Sequence, residues 1–315
     1  MSTISPPRTV LARALEATFG TAQAALKVPG SLLPCAIGGV TRALGGAEDE
    51  QDLGTVIDLA SGAQMAAGCG AGLLLTGTGT LAESAAGGLA AGVGTTLASR
   101  GGSSLELARQ LRERVNQAVD PGDGRLTAAW KGLSCGLQVA VMGGARVGYM
   151  EGQGTARGLL ESGAHLSERS PELPPAGAWS NLKGTMEALA CVPGGAARGL
   201  AESLGTTPVG PAWVAGGLLA GIGLTVGAML AGPVGAAAGT AMAVGLVGRS
   251  NQVAGKAVSE QVQDFLANRP DHGHEVINRN RDFCGGLVVG LATAFQAGYR
   301  HHTGVCGRTS SARPA

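Results

Sequence analysis

The chain has 315 residues and a formal net charge of +1. That length suits one large domain or two of about 150 residues, and the charge balance excludes an electrostatic nucleic-acid binder. Charged residues make up only 14%, aromatic residues 3%, and glycine supplies 55 positions, so the helices of such a chain pack by backbone proximity more than by large side chains.

Residues 1–8 are expected to be loose, with Pro6-Pro7 opposing a helix. A helix is predicted over Thr9–Lys27 and stopped by Pro29-Gly30, with a second helical piece over Ser31–Leu44. That second piece carries Leu33, Cys35, Gly38, Gly39, Arg42 and Leu44 at a spacing that recurs at Leu189, Cys191, Gly194, Gly195, Arg198 and Leu200. Arg42 and Arg198 read as arginines that snorkel, cap carbonyls or meet lipid phosphate. Ala47–Asp58, with Glu48, Asp49, Glu50 and Asp52, reads as a solvated acidic loop without metal-ligand spacing.

Leu59–Ala82 and Ser84–Ser99 are uncharged runs separated by Glu83. A second uncharged run extends from Ser203 to Gly248, broken by the Pro233 turn. Leu59–Ala82 and Ser203–Gly248 are each longer than one membrane span of about 20 residues; the first with Ser84–Ser99, and the second by itself, read as helical hairpins with tips near Glu83 and Pro233. Leu75, Thr76, Leu81, Ala82, Leu97 and Arg100 meet identical residues 149 positions later. Glycines four apart lie on one helix face and let a neighbouring backbone approach. Gly68/Gly72, Gly217/Gly221, Gly223/Gly227 and Gly235/Gly239 are therefore candidate helix-crossing positions, and so are Gly144/Gly148 and Gly286/Gly290. Over residues 210–248 the composition resembles the glycine-zipper hairpins of small membrane-inserting proteins.

Ser103–Val119 reads as an amphipathic helix with a Ser103/Glu106 capping box, an apolar stripe of Leu105, Ala108, Leu111, Val115 and Ala118, and Arg109, Arg112 and Arg114 opposite. Asn251–Ala267 repeats it, with Val258, Val262 and Phe265 on the stripe. A closing helix follows over Leu126–Met150 and again over Ile277–Arg300, with Leu137, Val141, Gly144 and Gly148 on one face. The chain's two tyrosines, Tyr149 and Tyr299, fall 150 residues apart on these helices. Glu168–Gly177 is polar and proline-rich and reads as a linker.

The expected fold is all-α. It is a tandem duplication of a unit of four to five helices, each with a glycine- and alanine-rich hairpin, with a first lobe over 1–170, a linker over 171–177 and a second lobe over 178–315. The halves should superpose, with Cys35 on Cys191 and Tyr149 on Tyr299. Six cysteines are too dilute for a disulfide scaffold and suit small buried hydrophobes. His272, His274, His301 and His302 with Cys306 match no zinc module. Glycine-rich turns such as Gly68-Cys69-Gly70 follow no strand, so they make no dinucleotide fingerprint.

No catalytic residue, cofactor, metal or small-molecule substrate is expected. The function expected is that of a non-enzymatic, membrane-associated or membrane-inserting helical protein: a pore, a membrane-shaping scaffold or an effector. Its partners would be a lipid bilayer or further copies of itself, with no nucleic acid. Arg42, Arg100, Arg109, Arg112, Arg114, Arg198, Arg249 and Lys256 flank the hairpins and would lie on the cytoplasmic side. The alternative is a soluble, cytoplasmic, self-assembling all-α scaffold that buries the hairpins between lobes or subunits.

Overall fold

The computed structural model describes residues 10–75, 102–169, 177–205, 238, 241–243, 245–246, 248–268 and 270–303. Among these every regular element is a helix. In chain order they are α1 (Val10–Ala43), α2 (Glu50–Leu75), α3 (Ser103–Ala118), α4 (Arg125–Arg169), α5 (Ala178–Ser203), α6 (248–267) and α7 (Glu275–Thr303). Both predicted hairpin tips, at Glu83 and Pro233, lie outside the described residues, as do Gly217, Gly221, Gly223, Gly227, Gly235 and Gly239.

Pro29-Gly30 does not stop the first helix. α1 runs unbroken for 34 residues with Pro29 and Pro34 inside it. A proline ring clashes with the carbonyl four residues earlier. Here those carbonyls belong to Ala25 and Gly30, both on the exposed side, and a Cβ at Gly30 would have nothing within 4 Å. The carbonyls can therefore tilt outward and the helix continues. It ends instead at Gly45, whose φ of 85° takes the left-handed conformation. Gly45 N–H bonds the Arg42 carbonyl and Gly46 N–H the Thr41 carbonyl, the paired bonds of a Schellman cap.

The acidic insert is not a loop throughout. Asp49 accepts the Asp52 N–H at 2.7 Å and starts α2, with Glu50 and Asp52 in the first turn, where carboxylates favour the helix dipole. Leu53, Ile57 and Asp58 are buried on it. The capping box is not formed either. Gly102 is the N-cap of α3 without a side-chain bond, Ser103 Oγ donates to Glu151 at 2.6 Å, and Glu106 is taken up by Arg109 and Gln110. α4 exceeds the predicted closing helix at both ends and is 45 residues long, or about 67 Å at 1.5 Å per residue.

Two compact units divide these helices. One takes α1, α2, α3, α4 up to Arg157, and Asp271–Arg281, which includes the first turns of α7. Its core joins Cys35, Leu53, Ile57, Leu107, Leu111, Val115, Val139, Val147 and Val276. The other takes α4 from Gly158 onward, α5, α6 and α7 from Asp282. Its core joins Cys191, Ala254, Val258, Val262, Phe265, Val289 and Ala294, with Leu166 against it.

Candidate functional site

The first unit is built on a seam of small residues. Along α4, Gly132, Gly136, Ala140, Gly144, Gly148, Gly152 and Ala156 recur every four residues without a break, and all are buried. Four residues is one step along a helix-surface row, so these positions share a face, and that face lies on α1. A Cβ at Gly136 would come within 2.8 Å of Ala36 Cα, one at Gly144 within 3.4 Å of Ser31 Cβ, and one at Gly148 within 2.8 Å of Ala24 Cα. At Gly152 it would meet Gly20 Cα at 2.6 Å. The α1 partners descend as the α4 numbers rise, so the helices are antiparallel. The ring of Tyr149 lies over Gly20, 2.7 Å from where a Cβ would stand.

The second unit has a seam of the same make between α5 and α7. Gly286, Gly290, Ala294 and Gly298 recur every four residues. A Cβ at Gly290 would meet Gly199 Cα at 2.9 Å, and one at Gly298 would meet Ala188 Cα at 2.8 Å. The ring of Tyr299 lies over Gly184, 3.1 Å from its Cβ position, and the Tyr299 hydroxyl pairs with Asn181 Oδ1.

Of the candidate crossing glycines, Gly144, Gly148, Gly286 and Gly290 thus meet a neighbouring helix. A Cβ at Gly68 would meet nothing within 4 Å, and the surroundings of Gly72 lie outside the described side chains. Gly38 faces Leu111 and Ile57, Gly39 faces Gly132, Gly194 faces Ser250, and Gly195 faces Gly290 and Ala294. Cys35, Cys135 and Cys191 are buried free thiols, and Cys284 is a free thiol of intermediate exposure. Arg42 donates to Asn116 Oδ1 at 3.0 Å and to the Ala47 carbonyl at 3.4 Å. Arg198 donates to Asn251 Oδ1 at 2.9 Å.

What the seams bury is small, and what they leave outside is large. On α1, Leu26 is 69% exposed and Leu33 is 50% exposed, with Ile37 on the same stripe. On α4, Leu137 and Val141, expected to share the packing face with Gly144 and Gly148, are exposed instead. They sit one residue past Gly136 and Ala140, so they turn about 100° away from the seam. On α5, Leu182, Met186 and Leu189 form a similar exposed stripe, with Trp179 beneath the Lys183 ammonium. α1 alone among the described helices is long and apolar enough to cross a membrane, and it lies near the N-terminus. The core helix of a soluble protein passes the same test.

Sequence reasoning missed the ionic layer of the first unit. Glu16 and Arg157 pair at 3.2 and 3.3 Å with both side chains 8% exposed. Lys27 meets Glu151 at 2.7 Å, and Glu151 also accepts from Ser103. Ser104 pairs with Asp58. The signal was present: Lys27 and Glu151 stand beside seam positions, where a charge on one helix demands a partner on the other.

Between α3 and α4 the same unit holds a groove of about 640 Å³, lined by Glu113, Arg114, Gln117, Trp130, Lys131, Ser134, Cys135 and Gln138 among others. At one end Lys131 bridges Asp123 at 2.6 Å and Asp120 at 3.1 Å. Hydrogen bonding from Lys131 holds the Asp123 carboxyl below its ordinary value, and Asp123 in turn raises Lys131.

No family model, curated protein or solved structure matches this chain.

His274 Nδ1 accepts the Val276 N–H at 3.3 Å at the start of α7, while His301 and His302 are exposed at its end. Among the described residues no three His, Cys, Asp or Glu side chains are grouped to hold a metal ion, and Cys306 lies outside them.

Proposed function

We propose that this protein is a non-enzymatic, membrane-associated helical protein that docks or inserts its apolar surfaces into a lipid bilayer. The observation that carries the reading is the inverted packing of α1 on α4, with glycine inside and leucine outside. In water, each leucine left exposed forgoes roughly 1.5–3 kcal/mol of burial, and a contiguous stripe of them marks an interaction surface. In a bilayer, lipid covers large side chains and small residues drive helix contact. The uncharged runs 59–82, 84–99 and 203–248 add two glycine-rich hairpins that would insert from the same protein. Arg42, Arg198, Arg249 and Lys256 would then stay at the cytoplasmic surface.

The finer architecture belongs to the same proposal. The chain is a tandem duplication in which α1, α2, α3 and α4 of one lobe correspond to α5, the second hairpin, α6 and α7 of the other. Two supports are the paired seams and the buried stripes: α3 buries Leu107, Leu111 and Val115, and α6 buries Val258, Val262 and Phe265.

The buried Glu16–Arg157 pair favours a second reading, a soluble scaffold whose apolar stripes are covered by further copies of the chain. Separation of cells into soluble and membrane fractions, with a carbonate wash, decides between them. Retention in the washed membrane is expected. Recovery in the supernatant as a detergent-free oligomer overturns the membrane reading and leaves the scaffold.

A further inference from the structure

The three arginines of α3 are not alike. Arg109 is paired with Glu106, and Arg112 with Glu50 at 3.3 Å. Arg114 donates to the neutral Oε1 of Gln138 at 2.9 Å and approaches the Met142 sulfur at 3.8 Å. Its neighbour Glu113 also lines the groove, is exposed, and has no ion-pair partner among the described residues. A guanidinium bonded only to neutral acceptors keeps its charge available, and its planar fork fits two oxygens of a phosphate. Trp130, 71% exposed, offers an indole face, which attracts an ammonium group. Lys131 does not compete for an anion, because Asp120 and Asp123 already hold it.

The groove therefore presents one uncommitted cation, one uncommitted carboxylate and one aromatic face. A phosphate dianion would be repelled by Glu113, and a simple amine would leave Arg114 unanswered. A molecule carrying a singly charged phosphodiester and an ammonium a few atoms apart answers both. We infer that the α3–α4 groove binds a zwitterionic amine phosphodiester, with phosphate on Arg114 and ammonium between Glu113 and Trp130. Such a group occurs on lipid headgroups and on free glycerophosphodiesters, and the inference holds whether or not the apolar stripes enter a membrane.

The test uses the full chain in a phosphate-free maltoside detergent, with Trp179→Phe and Trp213→Phe so that Trp130 alone reports. Glycerophosphocholine is titrated against Trp130 fluorescence, with inorganic phosphate and choline chloride titrated separately, and binding to phosphatidylcholine vesicles is measured in parallel. Saturable binding of the diester is expected, tighter than either half. Arg114→Gln should weaken it about ten- to a hundredfold, the loss of a charge-assisted hydrogen-bonding group. Glu113→Gln should weaken it less, and Arg109→Gln should leave it unchanged. Binding of vesicles and soluble diester alike supports a headgroup site that needs no bilayer. Arg114-dependent binding of vesicles alone supports it with lipid as the source. Absence of saturable binding to both, equal loss in Arg109→Gln and Arg114→Gln, or equal affinity for either half overturns it. Carbonate extraction of the unsubstituted protein tests the membrane reading separately, so the two can fail independently.

Discussion

Gly39 of α1 and Gly132 of α4 meet backbone to backbone: a Cβ at Gly39 would stand 3.0 Å from the carbonyl carbon of Gly132 and closer still to its oxygen. No side chain fits there without moving a helix. Gly136→Ala, in the same row, should therefore lower stability by about 1–3 kcal/mol through overpacking. Gly30→Ala, on the open side of α1, should instead raise it by about 0.4–1 kcal/mol, because alanine restricts the unfolded chain and meets nothing in the folded one. Thermal unfolding of the two variants checks the opposite signs. Equal effects would mean that the seam is not the close contact described.

The Glu16–Arg157 pair is buried on both sides. Glu16→Gln should cost about 3–5 kcal/mol, because it strands the Arg157 charge. The double variant Glu16→Leu, Arg157→Leu should cost clearly less, since both charges leave together. A double-mutant cycle closed with the single variants Glu16→Leu and Arg157→Leu, by denaturant unfolding, measures the coupling. Additive losses would show that the two side chains are not coupled.

Asp123 and Lys131 make a local pair with a defined pH window. The Asp123 value is depressed below 3.8 and the Lys131 value raised above 10.5. The contribution of Asp123 is present above 3.8 and lost as pH falls through its lowered value. That of Lys131 is present below 10.5 and lost as pH rises through its raised value. The α3–α4 turn should thus be insensitive to pH between those limits. A carboxyl NMR titration should find Asp123 below 3.8 and return it towards 3.8 in Lys131→Met. An unchanged Asp123 titration in that variant would remove Lys131 as the cause.

The two seams differ in register. If Cys35 corresponds to Cys191 and Tyr149 to Tyr299, Gly195 should face Asp282 as Gly39 faces Gly132; it faces Gly290 and Ala294 instead. Equivalently, the glycine beneath the tyrosine ring lies fifteen residues before Cys35 but seven before Cys191. Rows of small residues every fourth position explain how this is possible, because a slide of whole steps again sets small residue against small residue. In an NMR spectrum an NOE should link the Gly195 α-protons to the Ala294 methyl, and none should link them to the Asp282 β-protons. The reverse result would restore the register of the sequence repeat.

Much of the fold could be read from the residues alone. The absence of alternating β-branched runs gave helices, the stripe through Ala108, Leu111 and Val115 gave the buried face of α3, and the Gly144/Gly148 spacing gave a helix crossing. These signals are local and periodic, so the order of residues suffices. Tertiary structure decided what depends on a partner. Pro29 and Pro34 continue α1 because their opposing carbonyls sit on its open side. Ser103 abandons its capping role because Glu151 lies across from it. Leu137 and Val141 turn outward because the backbone of α1 occupies the glycine row beside them. Glu113 and Arg114 stand uncommitted while Arg109 and Arg112 are paired, because Glu106 and Glu50 fall within reach of only the latter two. A helix face offers several rows of nearly equal apolarity, and only the neighbouring helix selects the row that is buried.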